Sequence, residues 1–303
     1  VELWDKIASQ LPETLQERAA TLFANLTKSH APLQCGERVL RFDQPHVMGI
    51  LNMTPDSFYD GGAHKDEKAI LHHVKKMLNE GATFIDIGAY SSRPNADHVS
   101  ETDELKRILP IVDLVLKVFP EALLSIDTFR SEVAKATIDL GAAMINDISA
   151  GKLDNKMLET VGELGVPYIM MHMKGTPQTM QQHTDYNDLI KDIIYYFSER
   201  ISEAKANKII DIIIDPGFGF SKTLEQNYAL LNKLELLNIL EQPMLVGVSR
   251  KSMIYKTLNT NPNKALNGTT SLNTIALLKG ANILRVHDVK EAVECVTLTN
   301  QLH

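Results

Sequence analysis

Eight short apolar runs recur along the chain, with small, polar or charged residues at or next to their ends: 47–52, 83–88, 123–128, 144–149, 168–173, 212–217, 244–249 and 283–288. They are nearly continuous in Ile, Val, Leu and Met. Strands buried on both faces of a parallel sheet show that pattern, whereas half-exposed strands alternate. The onsets lie 21 to 44 residues apart, room each time for a loop and a crossover helix. The stretches between carry helical periodicity. In residues 185–207, Leu189, Ile190, Ile193, Ile194, Phe197, Ile201 and Ala204 form one stripe. Ser100 followed by Asp103 resembles a capping box. Gly81, Gly141, Gly165 and Gly280 stand where left-handed C-caps would end helices. Eight strands alternating with eight helices predict an α/β fold, a (β/α)₈ TIM barrel. A doubly wound open sheet uses the same units and is the alternative.

Residues 1–32 stand outside this repeat. Leu15, Ala19, Leu22, Phe23 and Leu26 share a helix face, which predicts an N-terminal helical extension packed on the barrel and taking no part in chemistry. Residues 33–43, with Gly36-Glu37 between Leu33 and Val39, read as a hairpin able to plug the bottom of the barrel. The expected division is therefore an extension over 1–32 and one catalytic domain over 33–303.

Composition narrows the partners. At 44% hydrophobic the chain can bury a sizeable core and is not of the disordered class. A net charge of −7 provides no basic field for nucleic acid, although a local cationic pocket for a small anion need not show in the total. Cys35 and Cys295 are the two cysteines, without metal-ligand spacing, so no disulfide framework is expected. No apolar run reaches the roughly 18 residues of a membrane span, and no secretory pattern opens the chain. A soluble, cytoplasmic protein is the expectation.

The strand ends hold Asn52, Asp86, Asp127, Asn146, Asp147, His172, Asp215, Ser249, Arg285 and His287. A cap or turn contact would account for any one of them. As a set they converge, because the C-terminal strand ends of such a barrel share one mouth. In Arg285-Val286-His287, alternation places Arg285 and His287 on one face, and closure brings Asn52 of the first strand beside them. An arginine fork, a histidine and a carboxamide suit a pyrophosphate, with Asn52 touching a metal or an oxygen; a structural Arg285–Asp288 pair is the plainer reading. Asp127, Asn146 and Asp215 offer acceptors to the donor edge of an aminopyrimidinone, and Lys251 a donor to its carbonyl. An ion pair between Lys251 and one of the aspartates is the alternative there. Met170, Met171 and Met173 read first as core filler, or as a soft wall for a flat ring. His72 and His73 read as solvated surface.

These residues fall in motifs that resemble one family. Gly49-Ile-Leu-Asn-Met-Thr-Pro-Asp-Ser-Phe58, Ser125-Ile-Asp-Thr128, Ile145-Asn-Asp-Ile148, Asp215-Pro-Gly-Phe-Gly-Phe220, Ser249-Arg-Lys-Ser252 and Leu284-Arg-Val-His-Asp288 look like those of dihydropteroate synthases. The likeness runs in order from about Gly36 to Glu294. It implies a (β/α)₈ enzyme of folate synthesis, a sulfonamide target, that joins a dihydropterin methyl diphosphate to 4-aminobenzoate. Asp127, Asn146, Asp215 and Lys251 would bind the dihydropterin, with Met171 and Phe220 shaping its pocket and Ser249 nearby. Asn52 would contact Mg²⁺, and Arg285 with His287 would hold the diphosphate. Loops 54–62 and 91–96 would close over the site and bring Phe58, Asp60, Ser92, Arg93 and Pro94 near 4-aminobenzoate. Asp60, Arg93, Lys251, Arg285 and His287 would be the catalytic set, and the family implies a homodimer. One departure stands out: where the family usually has Gly-Gly-Glu-Ser-Thr-Arg-Pro-Gly, this chain has Gly88-Ala-Tyr-Ser-Ser-Arg-Pro-Asn95, so Tyr90 replaces an acid and Ser92 a threonine.

Three other functions are compatible with parts of this pattern. A pterin-binding methyltransferase acting on a methylfolate would share the aspartate and asparagine edge but has no diphosphate to hold, which Lys251, Arg285 and His287 argue against. A metal-dependent barrel hydrolase would need a His-x-His pair on the first strand, which instead ends Ile50-Leu51-Asn52. A barrel that binds pterin without turnover is separated from the synthase by an assay.

Overall fold

The computed structural model describes residues 10–13, 15–16, 30–52, 63–89 and 99–302. The N-terminal helix expected around Leu15 to Leu26 falls almost wholly outside these residues, as do Phe58, Asp60, Tyr90, Ser92, Arg93 and Pro94. A hairpin of β1 (Leu33–Cys35) and β2 (Arg38–Leu40) comes first, followed by the units β3 (His46–Asn52), α1 (Ala63–Asn79), β4 (Phe84–Gly88) and α2 (Glu101–Val118). Next come β5 (Leu123–Asp127), α3 (Ser131–Asp139), β6 (Met144–Asp147), α4 (Met157–Leu164), β7 (Tyr168–Met171) and α5 (Leu189–Ala206). The chain continues through β8 (Ile212–Asp215), α6 (Leu224–Asn232), β9 (Leu245–Val246), α7 (Ser252–Thr257), α8 (Leu266–Leu278), β10 (Ile283–Val286) and α9 (Val289–Thr299).

The large sheet runs β8-β7-β6-β5-β4-β3-β10-β9, with every pair parallel. A parallel bridge from Ile214 to Met244 joins its two ends, so the sheet closes into a barrel and the open-sheet alternative is set aside. The strands are shorter than the apolar runs that announced them: 168–173 stops at Met171 and 244–249 contributes only Leu245–Val246. Two runs end early for a visible reason. The carboxylates of Asp147 and Asp215 accept the N–H groups of Ser149 (2.7 Å) and Gly217 (2.8 Å), two residues on, and these Asx turns draw the chain out of the ladder.

Helix ends follow local chemistry. Ser100 Oγ accepts from Asp103 N at 3.1 Å and donates to its carboxylate, so the return half of the expected box goes to the hydroxyl. Gly165 caps α4 in the left-handed region (φ 64°, ψ 31°), where a Cβ costs roughly 1–2 kcal/mol. His72 is exposed, as expected, whereas His73 is half buried.

Alternation along the closed strands sorts side chains into layers. Residues such as Val47, Ile85, Leu124, Ile145, Ile214 and Leu284 face the helices in the main core. The inward bottom layer is Met48, Phe84, Leu123, Met144, Ile169, Ile213, Leu245 and Ile283, and Leu33 and Cys35 of the hairpin pack directly on it with Leu40 and Phe42. The hairpin therefore plugs the bottom. Burying each such side chain contributes about 1.5–3 kcal/mol, which locks the hairpin to all eight strands. Above this layer the barrel interior turns polar.

Candidate active site

The second inward layer holds Asp86, Ser125, Asn146, Asp215 and Arg285, one strand turn above Phe84, Leu123, Met144, Ile213 and Ile283. Asp86, Ser125, Asn146 and Asp215 are buried. Asp86 accepts from Ser125 Oγ at 2.6 Å, from Asn146 Nδ2 at 3.2 Å and from Arg285 Nε at 2.6 Å. Arg285 also donates from a terminal nitrogen to Asp127 at 2.8 Å. One guanidinium thus spans two carboxylates inside the barrel, the geometry that makes buried charge tolerable. The plainer expectation for Arg285, a pair with Asp288, is corrected: Asp288 takes both ends of a fork from Arg250, at 2.6 and 2.8 Å. The Arg250 backbone is left-handed (φ 54°).

Burial pushes the Asp127 carboxyl up to about 7, against the pull of Arg285 and with the push of Asp86. Asp215 is also raised, by burial first, with Lys251 opposing. Arg285 would be lowered by burial, but Asp86 and Asp127 reverse this and hold its proton more firmly than usual. Lys251 is lowered to about 8 by burial, which Asp215 opposes. The mouth therefore holds groups whose charge states lie close to neutrality, as sites of binding and chemistry often do.

Lys251 makes no close carboxylate pair among the described residues. Its ammonium donates to Phe218 O and stands 4.7 Å above the centre of the Phe220 ring. Phe220 belongs with Phe129 and Leu153 to an apolar patch around Ile148, Met171, Met173 and Met180. The methionine run divides by alternation: Met170 packs among the helices, while Met171 and Met173 line the mouth. A flat ring resting on Met171 and Phe220 would present its edge to Asn146, Asp215 and Lys251.

At the rim, Ser249 Oγ lies 3.0 Å from His287 Nδ1 and accepts from His287 N at 3.2 Å. Asn52 is half buried at the end of β3, which pairs with β10. The structure thus brings Asn52, Asp127, Asn146, Met171, Asp215, Phe220, Ser249, Lys251, Arg285 and His287 to one end of the barrel. The same alternation turns Asp147 and His172 away. Asp147 faces outward and is consumed by Ser149, Gly151 and Tyr168.

Three features were not anticipated from the sequence. Asp86 has no role legible in the sequence, because its partner Arg285 is 199 residues away. A buried Glu104 accepts from Thr128 Oγ1 at 2.7 Å and pairs with Arg130, tying α2 to the loop after β5. Lys222, buried next to the mouth, carried no signal beyond following Phe220 and Ser221. For a divalent metal, no group of three His, Cys, Asp or Glu side chains gathers among the described residues. Among the described residues at the rim, the Asn52 carboxamide oxygen is a hard donor of the kind a magnesium ion accepts.

Residues 48–287 match the family of pterin binding enzymes. A dihydropteroate synthase of Escherichia coli (strain K12) is 44% identical over 259 residues, covering 85% of this chain and 91% of the relative. One from Synechocystis is 42% identical over 275 residues, covering 89% and 95%. Among solved structures, the Yersinia pestis dihydropteroate synthase with a sulfonamide drug complex superposes with a TM-score of 0.84 at 42% identity, covering 89% of this chain and 98% of that one. The Xanthomonas albilineans enzyme in complex with 7,8-dihydropteroate gives 0.80 at 35% identity, covering 89% and 98%.

Proposed function

Because the chain belongs to the dihydropteroate synthases of the pterin-binding family, it condenses (7,8-dihydropterin-6-yl)methyl diphosphate with 4-aminobenzoate, and we propose that the layers of its barrel mouth divide that work. One observation carries the assignment of roles: a polar layer of Asp86, Asn146, Asp215 and Arg285 inside an otherwise apolar barrel, beside the Met171 and Phe220 shelf. The shelf takes the faces of the dihydropterin. Asp127, Asn146 and Asp215 accept from its amine and ring N–H groups, and Lys251 donates to its carbonyl oxygen. Arg285, His287, Ser249 and Asn52 face the diphosphate.

A magnesium ion held at Asn52 and the diphosphate would supply charge stabilisation to the leaving group. The amine of 4-aminobenzoate is neutral at pH 7, its lone pair delocalised into the ring, so no general base is required to free it. The demanding step is breaking the carbon–oxygen bond, where the electron pair departs with the diphosphate and Arg285 and His287 stabilise the charge. The amine nitrogen then bonds to the methylene carbon and loses a proton. Family resemblance assigns Asp60 to the cationic pterin, and Phe58, Ser92, Arg93 and Pro94 to 4-aminobenzoate. Incubating the protein with the pterin diphosphate, Mg²⁺ and 4-aminobenzoate should release dihydropteroate and diphosphate in equal amounts. Pterin binding without product would refute the catalytic assignment.

The protein is also proposed to work as a homodimer in the cytoplasm. Exposed Ile275, Leu278, Leu298 and Leu302 gather on and after the packed helices α8 and α9, an apolar surface suited to a second copy. Cys35 and Cys295 are buried free thiols, in keeping with a reducing compartment. No helix among the described residues is long and apolar enough to cross a membrane.

A further inference from the structure

Lys222 is 4% exposed and sits beside the mouth without facing it. Its ammonium donates to Gly217 O at 2.9 Å and to Phe220 O at 3.0 Å, and its third contact is His172 Nδ1 at 3.0 Å. Every partner is neutral. The formal charges that act on it, Asp215, Lys251 and Lys174, do so through space. A buried ammonium solvated only by neutral acceptors is costly, and the loop is shaped to hold it. Gly217 (φ 72°), Gly219 (φ 82°) and Ser221 (φ 51°) are all left-handed, and the loop's Gly217 and Phe220 carbonyls meet at Nζ. A Cβ on Gly217 would lie 2.2 Å from His172 O, so only a glycine lets this backbone pack so closely against the end of β7.

The other side of the same loop receives Lys251, through Phe218 O and the Phe220 ring. Two lysines therefore grip one five-residue loop, one from the ligand side and one from behind. Simple anchoring of the loop is already supplied by other bonds. Ser221 Oγ accepts from Lys174 N and donates to Lys174 O, both at 2.9 Å, and Gly219 N donates to Asn227 Oδ1 at 2.7 Å. What Lys222 adds is the location of Gly217 and Phe220 themselves.

We propose that Lys222, backed by His172, is a positioning residue for the dihydropterin, setting where the Phe220 ring and the Lys251 ammonium meet the bound ring. This rests on the pterin reading of the mouth. Lys222 touches no substrate; it acts through the loop. Burial lowers its proton affinity to about 7, with Asp215 opposing and Lys251 and Lys174 adding to the shift. His172 is held well below its ordinary range, by burial and then by Lys222, so its Nδ1 remains an acceptor. The grip accordingly weakens as pH rises past neutrality.

The test measures binding of 6-hydroxymethyl-7,8-dihydropterin by fluorescence, and the two KM values, in the wild type and in Lys222→Met. The variant should bind the dihydropterin about tenfold more weakly, the weight of one or two lost hydrogen bonds. Its KM for 4-aminobenzoate should stay within about twofold, since the loop faces the pterin. In the wild type, affinity should start to fall near pH 7, where Lys222 deprotonates; in the variant the fall should start near pH 8, where Lys251 does. Equal changes toward both substrates, unchanged pterin affinity, or an unmoved alkaline limb would overturn the proposal. Should Lys222→Met fail to fold, His172→Phe decides the matter. It removes the imidazole acceptor and keeps the carbonyls, so about threefold weaker pterin binding with 4-aminobenzoate unaffected supports the role, and any other pattern rejects it. A wild type that binds no dihydropterin would overturn the reading of the mouth as well.

Discussion

Arg285 compensates two buried carboxylates and is also proposed to meet the diphosphate, so its removal should be felt twice. Arg285→Ala leaves Asp86 and Asp127 without their shared cation, and orphaning a buried charge costs about 3–5 kcal/mol. Urea denaturation should show a loss of that order. Turnover should fall by a further one to two decades, roughly the 1.5–3 kcal/mol of a charge-assisted hydrogen bond felt in the transition state. Binding of a pterin that lacks phosphate should suffer less than turnover; equal losses would make Arg285 purely structural. Asp127 makes a second prediction possible. Burial raises its pKa from the ordinary 3.8 to about 7, so the carboxylate proposed to meet the pterin edge forms only as pH rises through 7. The same raised affinity means that this group's contribution to stability declines over that climb. Dihydropterin affinity should therefore improve up to about pH 7 and decline again as Lys222 and Lys251 lose their protons. In Asp127→Asn the acid limb should vanish; its persistence would point to another group. At this scale the sequence disclosed most residues that share the mouth; Asp147 and His172, counted with the converging strand ends, are turned outward by the strict alternation of a strand. It did not disclose pairings such as Arg285 with Asp86, which depend on distances across a closed barrel.

The elements were the most legible part of the chain, because a strand buried on both faces leaves a continuous apolar run and the helices between leave a stripe. Their ends were less so: Asp147 and Asp215 capture backbone N–H groups and end strands inside runs that remain apolar. The hairpin was legible from its turn and its two apolar flanks. Leu33 is 3% exposed against the bottom layer, so Leu33→Asp should bury an unpaired carboxylate and destabilise the fold by several kcal/mol. Because that layer lies below the polar one, kcat per folded molecule should stay within about threefold, less than 1 kcal/mol of barrier. Thermal melts and active-site-normalised rates check the two halves separately, and a stable but inactive variant would show that the hairpin shapes the site. Lys222 marks the limit of such reading: it adjoins a loop whose left-handed turns fold it beneath its own neighbours.

For the whole molecule, the apolar surface on α8 and α9 predicts a second copy. Leu278→Lys together with Leu298→Lys should shift sedimentation toward a monomer, while a wild type that already sediments as a monomer would remove the proposal. The plugged bottom has a consequence for traffic. With the bottom layer packed solid and the hairpin over it, the described residues leave no passage through the far end, so whatever leaves must pass whatever is arriving. If cleavage precedes attack, as proposed, the freed diphosphate has no rear exit and should stay opposite the cation it came from until the amine arrives. Such confinement favours return: the carbon–oxygen bond should break and re-form many times, with any of the equivalent oxygens of the detached phosphate. Substrate carrying heavy oxygen at the bridge, held with protein and Mg²⁺ but no 4-aminobenzoate, should thus scramble its label between bridging and non-bridging positions faster than it hydrolyses. Label that stays in place until the amine is added would mean that departure and attack are one event, and that the sealed chamber never holds the separated pair.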